Sequence, residues 1–321
     1  MGVLVGPVEL GARGVLLELA DQLPGIDVSS GLSEREAAIL WELRVPRVVL
    51  GGLVGAMLAL AGAAYQGVFR NPLADPYLLG AAAGAGLGAT LAIAYLPGVS
   101  DWAVDPVPLA AFAGALVGVA ATYALGRSAA RSRTATTLVL AGVAMASFLT
   151  ALQTYVQQRE SDTLQQVYAW ILGQLGTAGW DEVRLILPYV AVSGVAILLH
   201  RRLLDVLSVG DEEADALGVN SARIRLLVVI AASLGTAAAV AVSGLIAFVG
   251  IIVPHTVRLL SGSSYRVVLP LSMIFGAAFL VLTDLAARTA IAPAELPIGV
   301  ITAFLGAPFF MIVLRRARGV V

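Results

Sequence analysis

Apolar residues in this chain come in long unbroken runs separated by short polar breaks. Nine runs are long enough to cross a bilayer as helices, or nearly so, at about 45–69, 77–97, 107–126, 136–156, 183–200, 226–243, 245–260, 267–287 and 297–314. The run 245–260 is short and holds Pro254, which predicts a broken or tilted helix. The most informative break is Gln66–Gly80, where Pro72 and Pro76 each follow an Asn or Asp. Proline lacks the N–H donor and clashes with the preceding turn, so no helix interior passes through Arg70, Asn71 and Pro72. Asp75 is placed to cap a new helix that begins at Pro76, where a missing N–H is tolerated. The run 45–69 is therefore stopped, turned at a membrane surface and restarted.

Composition agrees with the pattern. The chain is 59% apolar and 13% charged with mean hydropathy +0.91, against about 45–50% and about 25% in soluble domains. Nine apolar helices would leave a soluble protein too little polar surface, so the class is an all-α polytopic membrane protein with one integral domain. The absence of cysteine excludes disulfides, thiolate metal sites and thiol catalysis. A net charge of −1 gives no nucleic-acid signal. All 20 basic residues are arginine. A phosphate-cradling Walker A loop needs its lysine, so any ATP hydrolysis that serves this chain belongs to another subunit.

Arginine placement sets the expected orientation. With the 70–76 turn in the cytoplasm, 13 arginines lie inside, and 7 (Arg13, Arg35, Arg44, Arg47, Arg159, Arg184 and Arg288) lie outside. Residues 1–40 hold no spanning run and form an external segment. Val8–Leu23 reads as a short amphipathic helix interrupted by Glu9, Arg13, Glu18 and Asp21. No basic start precedes an apolar core, so no signal peptide is read.

Between and within the runs, several features invite two readings. The small residues around Gly84 and Gly86 read as a helix-packing surface rather than a nucleotide loop, since no strand precedes them and no lysine follows. Tyr168, Trp170 and Trp180 form either an interfacial belt or part of a substrate vestibule. Asp211–Ala216 is a short acidic helix, capped by Asp211 and ended by Gly218, and serves as a solvated loop or a docking knob. Asp284 stands four residues before Arg288 and forms a local pair. Apart from it no mid-span carboxylate suggests ion coupling. His255 is read first as structural and second as a substrate or metal contact. Arg44, Arg47 and Arg288 either snorkel to lipid headgroups or form a basic rim for an acidic partner. No catalytic constellation, metal site or cofactor site is expected.

The ordered motifs then identify a resemblance. Arg44-Val-Pro-Arg47, Gln66-Gly-Val-Phe-Arg-Asn-Pro-Leu-Ala-Asp-Pro76, Leu140-Ala-Gly-Val-Ala144, Gly210-Asp-Glu-Glu-Ala-Asp-Ala-Leu-Gly218, Gly244-Leu-Ile-Ala-Phe-Val-Gly250, Val253-Pro-His-Thr-Val-Arg258, Glu295-Leu-Pro-Ile-Gly-Val-Ile-Thr302 and Gly306-Ala-Pro308 carry a match that runs from about residue 38 to the end. They resemble the FecCD family, the permease subunits of ATP-binding-cassette importers for iron–siderophore complexes, haem and vitamin B12. The resemblance implies the type II importer permease fold over 41–321 and a multi-pass protein of the prokaryotic cytoplasmic (inner) membrane. It also implies a second permease copy, a cytoplasmic ATPase dimer and an external substrate-binding protein as partners. Arg44, Arg47 and Arg288 would dock the binding protein. Gly210, Asp211, Glu212, Ala214, Leu217 and Gly218, within a coupling element at 207–222, would engage the ATPase. Thr134, Ala135 and Thr136 would form the cytoplasmic gate. The family has ten spans, whereas nine are present here and residues 3–23 resemble the segment after the first. The expectation is that Met1 is a misassigned start or the chain a fragment. Ferric siderophore leads among cargoes on frequency alone.

Overall fold

The structure, a computed structural model, describes residues 2–5, 10–22, 28–96, 105–128, 135–176 and 179–318. Among the described residues the regular structure is helical, with no strand and one isolated bridge between Ile291 and Ala294. Six helices among the described residues are long and apolar enough to cross a membrane, and Ala81–Tyr95, Val249–Ser261 and Ile298–Val313 are shorter apolar helices. Together they coincide with the nine runs, which makes this a polytopic helical membrane protein.

The N-terminal segment contributes α1 (Ala12–Asp21), shorter than the amphipathic stretch expected, and α2 (Glu34–Ala38). Ser33 and Glu36 close a reciprocal capping box at the start of α2, with Ser33 N–H donating to Glu36 Oε2 over 2.8 Å. A π-helical turn, Ile39–Arg44, then joins α2 to α3 (Val45–Phe69) without a break. The spanning helix thus begins at Glu34, earlier than the apolar run suggested.

From Val54 onward α3 is buried on every face, as expected of a helix that is apolar all round. Around it stand α8 (Trp180–Leu199), α11 (Ser221–Ser243), α12 (Val249–Ser261) and α13 (Tyr265–Thr289). The Tyr65 and Ser233 hydroxyls, 2.6 Å apart, tie α3 to α11 and satisfy two polar groups at membrane depth. A second layer comprises α4 (Ala81–Tyr95), α5 (Pro106–Ser128) and α6 (Ala135–Arg159). A Cβ placed on Gly84 would lie 2.1 Å from the Gly114 carbonyl oxygen, so α4 and α5 touch backbone to backbone. The small residues there serve helix packing.

Between α11 and α12 the backbone leaves the helix over 244–248, and Phe248 adopts φ +69° before α12 begins. The expected break in this run therefore falls ahead of Pro254. Non-helical backbone at this depth must be satisfied by protein. The Tyr77 hydroxyl does so, donating to Ile246 O over 3.0 Å and accepting from Ile246 N–H over 3.1 Å.

Two of the three aromatics left open by the sequence are packing residues. Trp170, on α7 (Leu164–Ile171), is buried beside alanines of α4 and α11. Trp180 donates its indole N–H to Trp41 O over 2.8 Å, while Tyr168 is exposed.

Candidate functional site

Local chemistry builds the turn at 70–76. Arg70 ends α3 in the left-handed conformation, and Asn71 Oδ1 accepts Leu73 N–H over 2.9 Å. Asp75 Oδ1 accepts Tyr77 N–H over 2.8 Å and caps a single 3₁₀ turn, Pro76–Leu79, as the sequence required. Gln66 anchors the turn from inside, donating to Gly250 O over 3.0 Å and accepting from Arg258. Burial raises the Asp75 carboxyl from its ordinary 3.8 to about 6.

Beside this turn lies a helical knob made of α9 (Arg201–Val209) and α10 (Asp211–Ala216). On α9, Leu204 and Leu207 face the core, and Asp205 accepts Tyr265 N–H at the start of α13 over 2.6 Å. α10 ends in a Schellman motif: Val219 N–H reaches Ala214 O, Gly218 N–H reaches Asp215 O, each over 3.0 Å, and Gly218 sits at φ +78°. One expectation is corrected here. Asp211 is not the cap, since Gly210 holds that position. Its carboxylate is turned instead toward arginines from two other elements, 2.8 Å from Arg225 on α11 and 3.2 Å from Arg70. Asp211 thus bolts the knob to the ends of α3 and α11. Ala214 is buried, Glu212 and Glu213 are exposed, and Leu217 stands at the tip 71% exposed.

The opposite ends of α3 and α13 carry a second cluster. Arg47 reaches Asp284 over 2.8 Å and Glu295 in a bidentate pair over 3.0 and 2.8 Å. Arg288 lies 3.1 Å from Asp284, the local pair the sequence predicted, and donates to Val5 O over 3.1 Å and Gly2 O over 2.9 Å. Arg44 donates to Val3 O over 3.1 Å and Leu4 O over 3.3 Å. The side chains of Arg47, Asp284 and Arg288 are 12%, 4% and 4% exposed, and that of Glu295 is 39% exposed. The arginines of the expected basic rim thus stand in a largely buried network in which they hold two carboxylates and the N-terminal strap. Sequence reasoning found the arginines but missed Glu295 and the long-range half of Asp284's bonding. Both depend on bringing α3 and α13 together.

The sequence profile of the FecCD transport family matches residues 1–316. The chain belongs to the FecCD transport family. An uncharacterised ABC transporter permease of Bacillus subtilis, YvrB, is 43% identical over 285 residues, covering 88% of this chain and 80% of its own. The cobalamin import permease BtuC of Halobacterium salinarum is 44% identical, covering 89% of this chain and 75% of its own. The iron(3+)-hydroxamate import permease FhuB of B. subtilis is 38% identical, with 87% and 72% covered. A solved transporter described as metal-chelate type, in an inward-facing conformation, superposes with TM-score 0.81 at 28% identity, covering 94% of this chain and 95% of the other.

This FecCD permease is thus a membrane subunit of the ABC class, and its acidic knob and cation cluster stand on opposite faces of the bundle. Of the expected gate, Thr134 lies outside the described residues, while Ala135 and Thr136 open α6. α6 turns Leu140, Val143, Phe148 and Tyr155 outward. α14 (Ile298–Arg318) does the same with Phe304, beside a cavity of about 620 Å³ that the 244–248 break also lines. His200 Nδ1 lies 2.7 Å from Ala196 O, and the His255 ring meets Phe309 edge-on at 5.6 Å.

Proposed function

We propose that this FecCD permease forms the translocation pathway of an ATP-driven importer for a metal chelate, ferric siderophore first, in the cytoplasmic (inner) membrane of a prokaryote. The observation that carries the reading is the knob. A short acidic helix with an exposed leucine, bolted by Asp211 to two long helices, suits the transmission of force from a cytoplasmic ATPase dimer better than it suits a solvated loop. In this reading two permease copies face each other through the outward apolar surfaces of α6 and α14, with Thr134, Ala135 and Thr136 at the gate.

A substrate-binding protein docks on the face that carries Arg44, Arg47 and Arg288. Arg44 and Arg288 contribute there by holding the strap. Arg47 is accessible to a partner's carboxylate once Glu295 yields. Vitamin B12 is the second cargo reading, favoured by the identity to the halobacterial cobalamin permease, and haem is a third.

Uptake of labelled ferric siderophore, cobalamin and haem into proteoliposomes containing permease, cognate ATPase and binding protein tests this. Uptake that needs ATP and survives collapse of the proton gradient is expected. Uptake that persists without the ATPase and stops when the gradient collapses would make the chain a secondary carrier.

A further inference from the structure

A cleft between α5 and α11 has no role in the importer reading. Toward the face of the N-terminal strap α5 is closed against α8, where the Phe112 and Tyr189 rings meet at 5.1 Å. Toward the face of the 70–76 turn α5 and α11 splay. They leave an apolar cavity of about 840 Å³ lined by Leu116, Val119, Tyr123, Leu226, Val229 and Ile230. At its polar end it continues into a second cavity of about 240 Å³, which shares Tyr123 and Arg127 and adds Arg223 and Arg225. The Arg127 guanidinium lies 5.9 Å from the centre of the Tyr123 ring. Arg127 and Arg223 are exposed, and Arg225, though paired with Asp211, keeps a buried Nε with no hydrogen-bond partner among the described residues.

A cleft of this size at membrane depth does not stay empty, because its lining would forfeit its dispersion contacts. Water there would find almost no polar partner. Acyl chains are the fitting occupant. The arginines select the headgroup, since basic pockets between transmembrane helices draw anionic lipids and guanidinium forks match phosphate oxygens.

We propose that the α5–α11 cleft binds an anionic phospholipid, its acyl chains between the helices and its phosphate on Arg127 and Arg223, with Arg225 behind. The site rests on the membrane placement of the chain and not on its cargo. A lipid seated there buttresses α11 one turn from Arg225, and through Arg225 it touches Asp211 and the knob.

Native mass spectrometry of the full chain, purified in mild detergent from mixed phosphatidylglycerol and phosphatidylethanolamine membranes, is the test. Retained phosphatidylglycerol should exceed its bulk share, and Arg127→Gln with Arg223→Gln should cut that enrichment about fivefold or more. Ala120→Trp, which fills the cleft from an exposed position, should reduce retained lipid of both headgroups. A photo-crosslinking residue at Ala124 should label lipid. Retained lipid that mirrors the bulk, enrichment unaffected by the arginine changes, or a polypeptide adduct at Ala124 would each overturn the proposal. Added phosphatidylglycerol should also raise the thermal midpoint, and an equal rise from excess inorganic phosphate alone would overturn the proposal as well.

Discussion

Asp284 shows how a single residue holds distant parts of this fold. It is buried near the end of α13 and neutralised by Arg47 and Arg288 together. Removing one partner of a buried pair strands the other, at a cost of about 3–5 kcal/mol, whereas an exposed pair is worth about 0–1. Arg47→Met should therefore lower the thermal midpoint in detergent sharply, and Glu295→Gln should lower it little. Arg47→Met combined with Asp284→Leu should recover little of the loss, because the buried Arg288 then loses the carboxylate that pairs with it. Equal effects from Arg47→Met and Glu295→Gln would show that the network does not hold the bundle together. The network also bears on legibility. The i,i+4 relation of Asp284 and Arg288 can be read from spacing, but Arg47 lies 237 residues from Asp284. No local pattern encodes that meeting, so the arginines read as surface residues until α3 and α13 pack.

At the scale of elements, legibility followed the range of the forces involved. Helix runs, the Asx–proline turn and the Gly218 terminator are written in local chemistry and appear where the sequence placed them. The exact start of α12 was not legible, because Phe248 reaches φ +69° only where Tyr77 satisfies the unwound backbone. Tyr77→Phe leaves the Ile246 N–H and C=O without that partner and should destabilise the fold by about 1–3 kcal/mol. A thermal midpoint equal to wild type in the same detergent would contradict that role. The cap at Asp211 was misread for a similar reason, since two arginines from other elements compete for its carboxylate.

The turn carries its own pH dependence. With the Asp75 carboxyl raised from 3.8 to about 6, the folded chain favours the protonated form. Its contribution to stability is complete below 3.8 and is lost as pH rises through about 6. Asp75→Asn keeps an oxygen for Tyr77 N–H, so its stability advantage over wild type should grow between pH 4 and pH 7, read as the difference in thermal midpoint. A difference independent of pH would place the proton elsewhere.

For the whole molecule, the two clusters divide the work of one bundle. On one face Arg44, Arg47 and Arg288 tie the strap and Glu295 to α3 and α13. On the other, Asp211 ties the knob to α3 and α11. The helix they share is α3, buried on every face from Val54 onward, so a displacement of the knob is delivered to the centre of the bundle rather than to a loop. That arrangement gives the membrane subunit a rigid lever, provided an ATPase grips the knob at Leu217 and its flanking carboxylates. The central claim is this grip, and Leu217 allows a clean trial because the residue is 71% exposed. The decisive measurement is ATP-driven uptake by proteoliposomes carrying Leu217→Asp permease with its cognate ATPase and binding protein, alongside the thermal midpoint of the variant. The account predicts a wild-type midpoint with ATPase association and uptake reduced by about tenfold or more, the scale of losing an interface anchor. Full uptake by a stable Leu217→Asp permease would contradict it.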